Sequence, residues 1–337
     1  MTQVLRRLKQ TAKSSAQFIA SRLGPHRLGD GPPRLWVLMY HRILPPHDAR
    51  HREEEPGMIV TPESFSQQVR QLKNIFTIIP LSEWVERRDR GKPLPERACA
   101  ITFDDGWRDN YEYAFPILQQ EQVPATVFAV SHMIGTQQHF WPNRLARLLR
   151  ASEREPLQQY SWLTGLPGYR ARGELTRDEI AGIIAGCKRY SDDFLQSQLT
   201  LMEEELDITE PYEAPLMDWS QLNAMQSSGL VEIGSHTRYH CRLGGEMPDA
   251  RLEQEIVGSR EHLQQQLGKP VTLFCYPNGD TSPAATRLVR EHYRAAVTTQ
   301  RGINRPETSP QTLLRIGVHD DVSNTPTRFG ARLSGWF

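Results

Sequence analysis

Seven short apolar runs recur along this chain with helix-length stretches between them, and that alternation constrains the fold more than any other feature. The runs cover residues 35–40, 77–79, 99–103, 125–130, 230–233, 271–276 and 295–297. Each has the length of a strand buried in a sheet. Helix signals fall between them, as where Thr61-Pro62-Glu63-Ser64 supplies an N-cap, a proline at the first helical position and an acid in the first turn. Repeated strand–helix units imply an α/β chain, and six or seven of them fit one barrel. Residues 136–215 break the pattern, being polar and helical without strand runs, and are expected as an insertion on the barrel's rim. The expected organisation is a basic N-terminal segment 1–30, a main domain 31–325 holding that insertion, and a tail 326–337.

The chain has 337 residues with 40 basic and 40 acidic side chains, so its net charge is zero. That argues against bulk electrostatic capture of a nucleic acid. Cys99, Cys187, Cys241 and Cys275 are scattered, with no close pair of the kind that makes a zinc knuckle or a redox motif, and are expected as reduced thiols. No stretch has the apolar length of a membrane span, and a cytoplasmic location is expected, at the inner face of a membrane if the N-terminus binds one. Residues 1–28 carry Arg6, Arg7, Lys9, Lys13, Arg22 and Arg27 and no acid, while Val4, Leu5, Leu8, Ala12, Phe18, Ile19 and Leu23 recur at near-helical spacing. This suits an amphipathic helix on an anionic leaflet, a helix packed on its own domain, or a transit peptide.

Two motifs carry chemistry. Asp104-Asp105-Gly106 closes the run ending at Phe103. Adjacent residues splay apart where a strand ends, so one carboxylate can hold a metal while its neighbour acts as a base. Taken alone, the run reads equally as a turn. The second motif, His236-Thr237-Arg238-Tyr239-His240, follows another apolar run. On a helical turn residues four apart share a face, so His236 and His240 with Asp105 make a two-histidine, one-carboxylate set with open positions. Trp141, Trp162, Trp219 and Trp336 are read as packing residues.

Together these motifs resemble the polysaccharide deacetylase family, also called the NodB-homology family or carbohydrate esterase family 4, over about residues 35 to 319. The resemblance implies a distorted (β/α)7 barrel. Asp104 would be the general base, and Asp105, His236 and His240 would bind a divalent metal, most often zinc, with cobalt or nickel as alternatives. Where the family has Arg-x-Pro-Tyr, this chain has Cys275-Tyr276-Pro277-Asn278, so the family's arginine and tyrosine side chains are both missing. Tyr276, Pro277 and Asn278 would line the oxyanion position, with the Asn278 N–H as donor, and Arg315 is the candidate to orient Asp104. The general acid would be His319, in Val318-His319-Asp320, or His41. The latter is preferred because Met39-Tyr40-His41-Arg42 is similar to the N-terminal motif of a subgroup that includes biofilm poly-N-acetylglucosamine deacetylases.

The expected activity is metal-dependent removal of N-acetyl groups from a sugar or polysaccharide in exopolysaccharide, capsule or cell-envelope synthesis, with a lipid-linked glycan as one substrate form. A carbohydrate O-acetyl esterase and a non-catalytic carbohydrate-binding protein are the alternatives. A binding protein has no need of both a base and three metal ligands.

Overall fold

The computed structural model describes the chain apart from residues 1–2, 30, 151–153, 209–212 and 246, and apart from the side chains of residues 3–9, 52 and 53. Seven parallel strands close into a ring: β1 (Arg34–Tyr40), β2 (Arg97–Phe103), β3 (Ala125–Ala129), β4 (Val231–Ser235), β5 (Leu273–Cys275), β6 (Ala295–Arg301) and β7 (Leu313–Gly317). The ring closes at β1, which pairs in parallel with β2 on one side, Arg34 opposite Arg97 through Tyr40 opposite Phe103, and with β7 on the other. This is the expected barrel, with helices around it.

Two strands depart from the expected set. Thr77–Ile78 pairs only with β2 and stands outside the ring. The seventh stave is instead Leu313–Gly317, whose sequence Leu-Leu-Arg-Ile-Gly hides a buried strand behind an arginine. Arg315 is 1% exposed, and a charge is tolerated there because a carboxylate inside the barrel meets it.

Alternation along the strands sorts side chains to two sides. Trp36, Leu38 and Tyr40 of β1 join Cys99, Ile101 and Phe103 of β2 in the core beneath the helices. Leu35 and Val37 meet Ala98, Ala100, Phe128, Cys275, Ala295 and Val297 inside the ring, where Leu81 and Trp84 of the helix Leu81–Asp89 pack among them. Gly234 makes one close approach possible, since a Cβ there would fall 2.5 Å from the Phe128 ring.

Between β3 and β4 the chain leaves the barrel for helices Trp141–Arg150, Ser161–Thr164, Arg177–Cys187 and Asp192–Glu205. These have their own core around Leu145, Leu149, Ile183, Leu195 and Leu199. Past residue 325, where a tail was expected, the chain forms the helix Pro326–Leu333, and Phe329 and Leu333 enter the main core. All four cysteines are free and buried.

Candidate active site and metal centre

The site forms where β1, β2, β4 and β7 end. Asp104 follows β2, and its N–H donates to the carbonyl of Tyr40 at 3.0 Å, carrying the strand pairing one residue past the ladder. The chain then reverses through Asp105 and Gly106, both at positive φ (74° and 84°). A non-glycine residue held there is strained, as functional residues often are. The reversal sends the two neighbouring carboxylates to different partners.

Asp105 faces the histidines. Its Oδ1 lies 3.4 Å from His236 Nε2 and 3.5 Å from His240 Nε2, and the three donor atoms lie within 4.8 Å of one another. The other oxygen, Oδ2, accepts the Trp107 indole N–H at 2.8 Å, which turns Oδ1 toward the imidazoles. Residues 236–240 form a tight turn rather than the expected helical turn, with Thr237 and His240 at positive φ (66° and 60°). Spacing alone does not distinguish the two conformations. The Glu255 carboxylate fixes the turn by accepting the N–H groups of Arg238 at 2.9 Å and Tyr239 at 3.1 Å, and the imidazole centroids end 4.9 Å apart.

These donors suit a divalent metal. His236 Nδ1 pairs with the Cys275 carbonyl oxygen at 2.8 Å, leaving Nε2 to face Asp105, the tautomer-fixing contact typical of a ligating histidine. A second grouping of Asp104, His236 and Cys275 also lies close enough to consider. It fits less well, because Arg315 occupies both oxygens of Asp104 and burial pushes the Cys275 thiol above its ordinary pKa, so it stays protonated. Burial pushes the Asp105 carboxyl up, but the His236 contact and the nearby His240 and His41 outweigh it and hold it well below the usual carboxylate range. Burial, only partly offset by the Asp105 carboxylate, takes the His240 imidazole down to about 4, so this side chain is neutral at pH 7.

Asp104 sits against Arg315, whose two terminal nitrogens each donate to one carboxylate oxygen at 2.7 Å. The guanidinium also donates to the Thr298 carbonyl and the Thr102 hydroxyl, so its plane is fixed. Arg315 NH2 lies 3.2 Å from the Cys275 sulfur, which places the arginine of β7 beside the position where the resemblance puts an arginine on β5. Burial pushes the Asp104 carboxyl up, and Arg315 more than offsets this, keeping it ionised.

His41 lies at the end of β1 with Nε2 3.8 Å from Asp104 Oδ2. His319 lies past β7 and turns its Nδ1 to Asp321 at 3.2 Å. Of the two candidate acids, His41 is the one beside Asp104. Tyr276 points to the helix side of the barrel, its ring packed on Phe274 at 5.2 Å, so its phenol is outside the site. Pro277 is buried, and Asn278 occupies a turn at φ 54° with its carbonyl accepting the Thr299 hydroxyl.

Several supporting residues were not picked out from the sequence. Arg42, buried and paired with Asp109 and Glu54, lies under Trp107 at 4.1 Å from its ring, steadying the indole that orients Asp105. Phe140, just before the first insertion helix, packs on Trp107 and on His240 with centroids 5.2 and 5.0 Å away, so the insertion walls one side of the ligand cluster. Tyr113 and Trp107 are alike as aromatic letters; only the fold separates the residue that touches a ligand.

Comparison with known proteins bears on the fold and the family. Residues 91–297 match the family model for polysaccharide deacetylases. The poly-β-1,6-N-acetyl-D-glucosamine N-deacetylase of Staphylococcus epidermidis is 33% identical over 108 residues, 30% of this chain and 37% of that protein. The Escherichia coli protein of the same name is 39% identical over 64 residues, 19% of this chain and 10% of that protein. The chain thus matches well under half the length of these curated relatives. Among solved structures, the Streptococcus pyogenes deacetylase PplD in complex with acetate superposes with a TM-score of 0.58 at 18% identity, covering 87% of this chain and 96% of that one. IcaB from Ammonifex degensii gives 0.57 at 19% identity, covering 89% and 97%. At such identity the likeness is one of fold. The family match spans more than half of the sequence, and the chain belongs to the polysaccharide deacetylase family.

Proposed function

We propose that this protein hydrolyses the N-acetyl groups of a glycan, releasing acetate and leaving a free amine on the sugar. The observation that carries the reading is the division of labour between adjacent carboxylates: Asp105 joins two histidines, while Asp104 is held ionised by Arg315 and faced by His41. A divalent ion on Asp105, His236 and His240, zinc by preference and cobalt or nickel as alternatives, would supply Lewis-acid polarisation of the amide carbonyl and of water. Asp104 is the base that takes a proton from the attacking water, since Arg315 keeps it anionic inside the barrel. His41, within reach of the same carboxylate, returns a proton to the departing nitrogen as the C–N bond breaks. The Asn278 N–H is the proposed oxyanion donor.

The relatives named for poly-N-acetylglucosamine support a polymer of N-acetylated amino sugar, made for an exopolysaccharide, capsule or cell envelope, as the substrate class. An O-acetyl ester offers the same carbonyl to the same groups, so the test includes both. Protein stripped of metal and reloaded with zinc, cobalt or nickel is incubated with N-acetylated and O-acetylated oligosaccharides, with Asp104→Asn alongside. Metal-dependent acetate release from the amides, abolished in Asp104→Asn, is expected. Release from the esters alone overturns the amidase assignment.

A further inference from the structure

Among the described side chains of the helix α1 (Gln3–Leu23), those buried against the body of the protein lie near its C-terminal end. Ala20, Ser21 and Gly24 are buried against the end of the helix Pro326–Leu333, where a Cβ on Gly24 would fall 2.6 Å from Ser334 Cβ. Every residue from Gln10 to Ala16 is exposed. Ala12, Ala16, Ile19 and Leu23 recur at helical spacing along a face beside the packed one, and Ile19 and Leu23 are 52% and 65% exposed. Leu5 and Leu8 continue the spacing in the sequence, in the stretch whose side chains lie outside the described residues. Among the described residues seven large hydrophobic side chains are exposed, and five of them, Phe18, Ile19, Leu23, Leu28 and Trp336, gather at this end.

Clustering of that kind marks a docking surface, and its charge selects the occupant. Lys13, Arg22 and Arg27 are exposed around the patch, and residues 3–28 hold no acid in a chain whose overall charge is zero. No described helix is long and apolar enough to cross a membrane. A basic helix with an unpartnered apolar face and no capacity to span is suited to lie in a lipid interface.

We propose that α1, with Leu28 and Trp336, docks the protein on an anionic lipid leaflet. Docking is read without turnover, so it stands or falls separately from the deacetylase reading.

The test is sedimentation of the full chain with phosphatidylcholine vesicles that contain or lack phosphatidylglycerol. Binding about tenfold or more tighter to the anionic vesicles, weakened by salt, is expected. Ile19→Asp with Leu23→Asp should abolish it while melting temperature and acetate release stay unchanged, and Lys13→Glu with Arg22→Glu should remove only the preference for phosphatidylglycerol. A fluorophore on Leu23→Cys should be quenched by brominated lipid. Equal affinity for both vesicles, a paired aspartate variant that still binds, or no quenching at residue 23 overturns the proposal. A dimer that the aspartates dissolve assigns the face to a second copy instead.

Discussion

Replacing Arg315 by methionine removes a charge of almost no exposure from a carboxylate that is itself 2% exposed. The two 2.7 Å contacts to Asp104 vanish, and among the described residues no other cation touches its oxygens as closely; His41 stands at 3.8 Å. Breaking one side of a buried ion pair costs about 3–5 kcal/mol, because the partner stays buried and uncompensated. For a chain of this size that corresponds to a fall in melting temperature of roughly 5–10 °C. The pH dependence follows from the direction of the Asp104 shift. In the native protein its pKa is held below the unfolded value of about 3.9, so its stabilising contribution is present above that pH and is lost as pH falls through the folded pKa. In Arg315→Met only the smaller effects of His236 and His41 oppose burial, so the folded pKa is expected to rise above the unfolded one, the contribution changes sign and the variant loses stability as pH rises from about 4. The gap in melting temperature should widen between pH 4 and pH 7. Acetate release at neutral pH should fall by about 10²–10⁴, the usual worth of a general base, and the acid limb of its pH profile should move up. Exchanging the residues, Cys275→Arg with Arg315→Cys, nearly conserves volume and should recover on the order of tenfold of the loss through coupling of the two sites. Calorimetry from pH 4 to 7 checks the sign. Unchanged melting at pH 7, or a gap that narrows with rising pH, refutes the assignment of Arg315 as the group that keeps the base ionised.

Trp107→Phe keeps the packing on Phe140 but removes the 2.8 Å bond to Asp105, and metal affinity measured by chelator competition should weaken about 10–100-fold. His41→Asn should lower kcat by about 10²–10⁴ with metal affinity intact, whereas His319→Asn, whose ring turns to Asp321, should stay within a few-fold of wild type; the reverse ranking in steady-state kinetics would make His319 the acid. Burial works against a charged His236, but the carboxylates of Asp105 and Asp104 beside it oppose burial and raise its pKa above the ordinary imidazole value. Metal binding at pH 7 should therefore release a proton, seen as a buffer-dependent enthalpy in titration calorimetry, and affinity should drop as pH is lowered. Saturating metal at about a hundred times its Kd should stabilise the fold by about 2.7 kcal/mol, measured as a rise in melting temperature that Asp105→Asn removes.

The barrel was legible because six of its staves are apolar enough to be buried on both sides, and the ligand and base motifs because they sit where such runs stop. What misled was local chemistry that only tertiary contact explains. Thr77–Ile78 has strand composition but adds to the outside of β2, while β7 conceals a buried strand behind Arg315, whose charge is matched by an aspartate far away in sequence. The turn at residues 236–240 depends on Glu255, and spacing carries no trace of that carboxylate. Trp336 was grouped with packing residues and is 59% exposed, because the contacts that decide a tryptophan's environment are not written beside it.

The ring closes at β1, and the reacting groups straddle that seam: Arg315 on β7, His41 just past β1 and Asp104 just past β2 are neighbours around the barrel but come from opposite ends of the chain. On the roles proposed above, a chain cut before Leu313 would keep Asp105, His236 and His240 but lose the cation that holds Asp104 ionised, and β1 would be left as an open, unpaired edge, so the same cut that disarms the base also unseals the barrel.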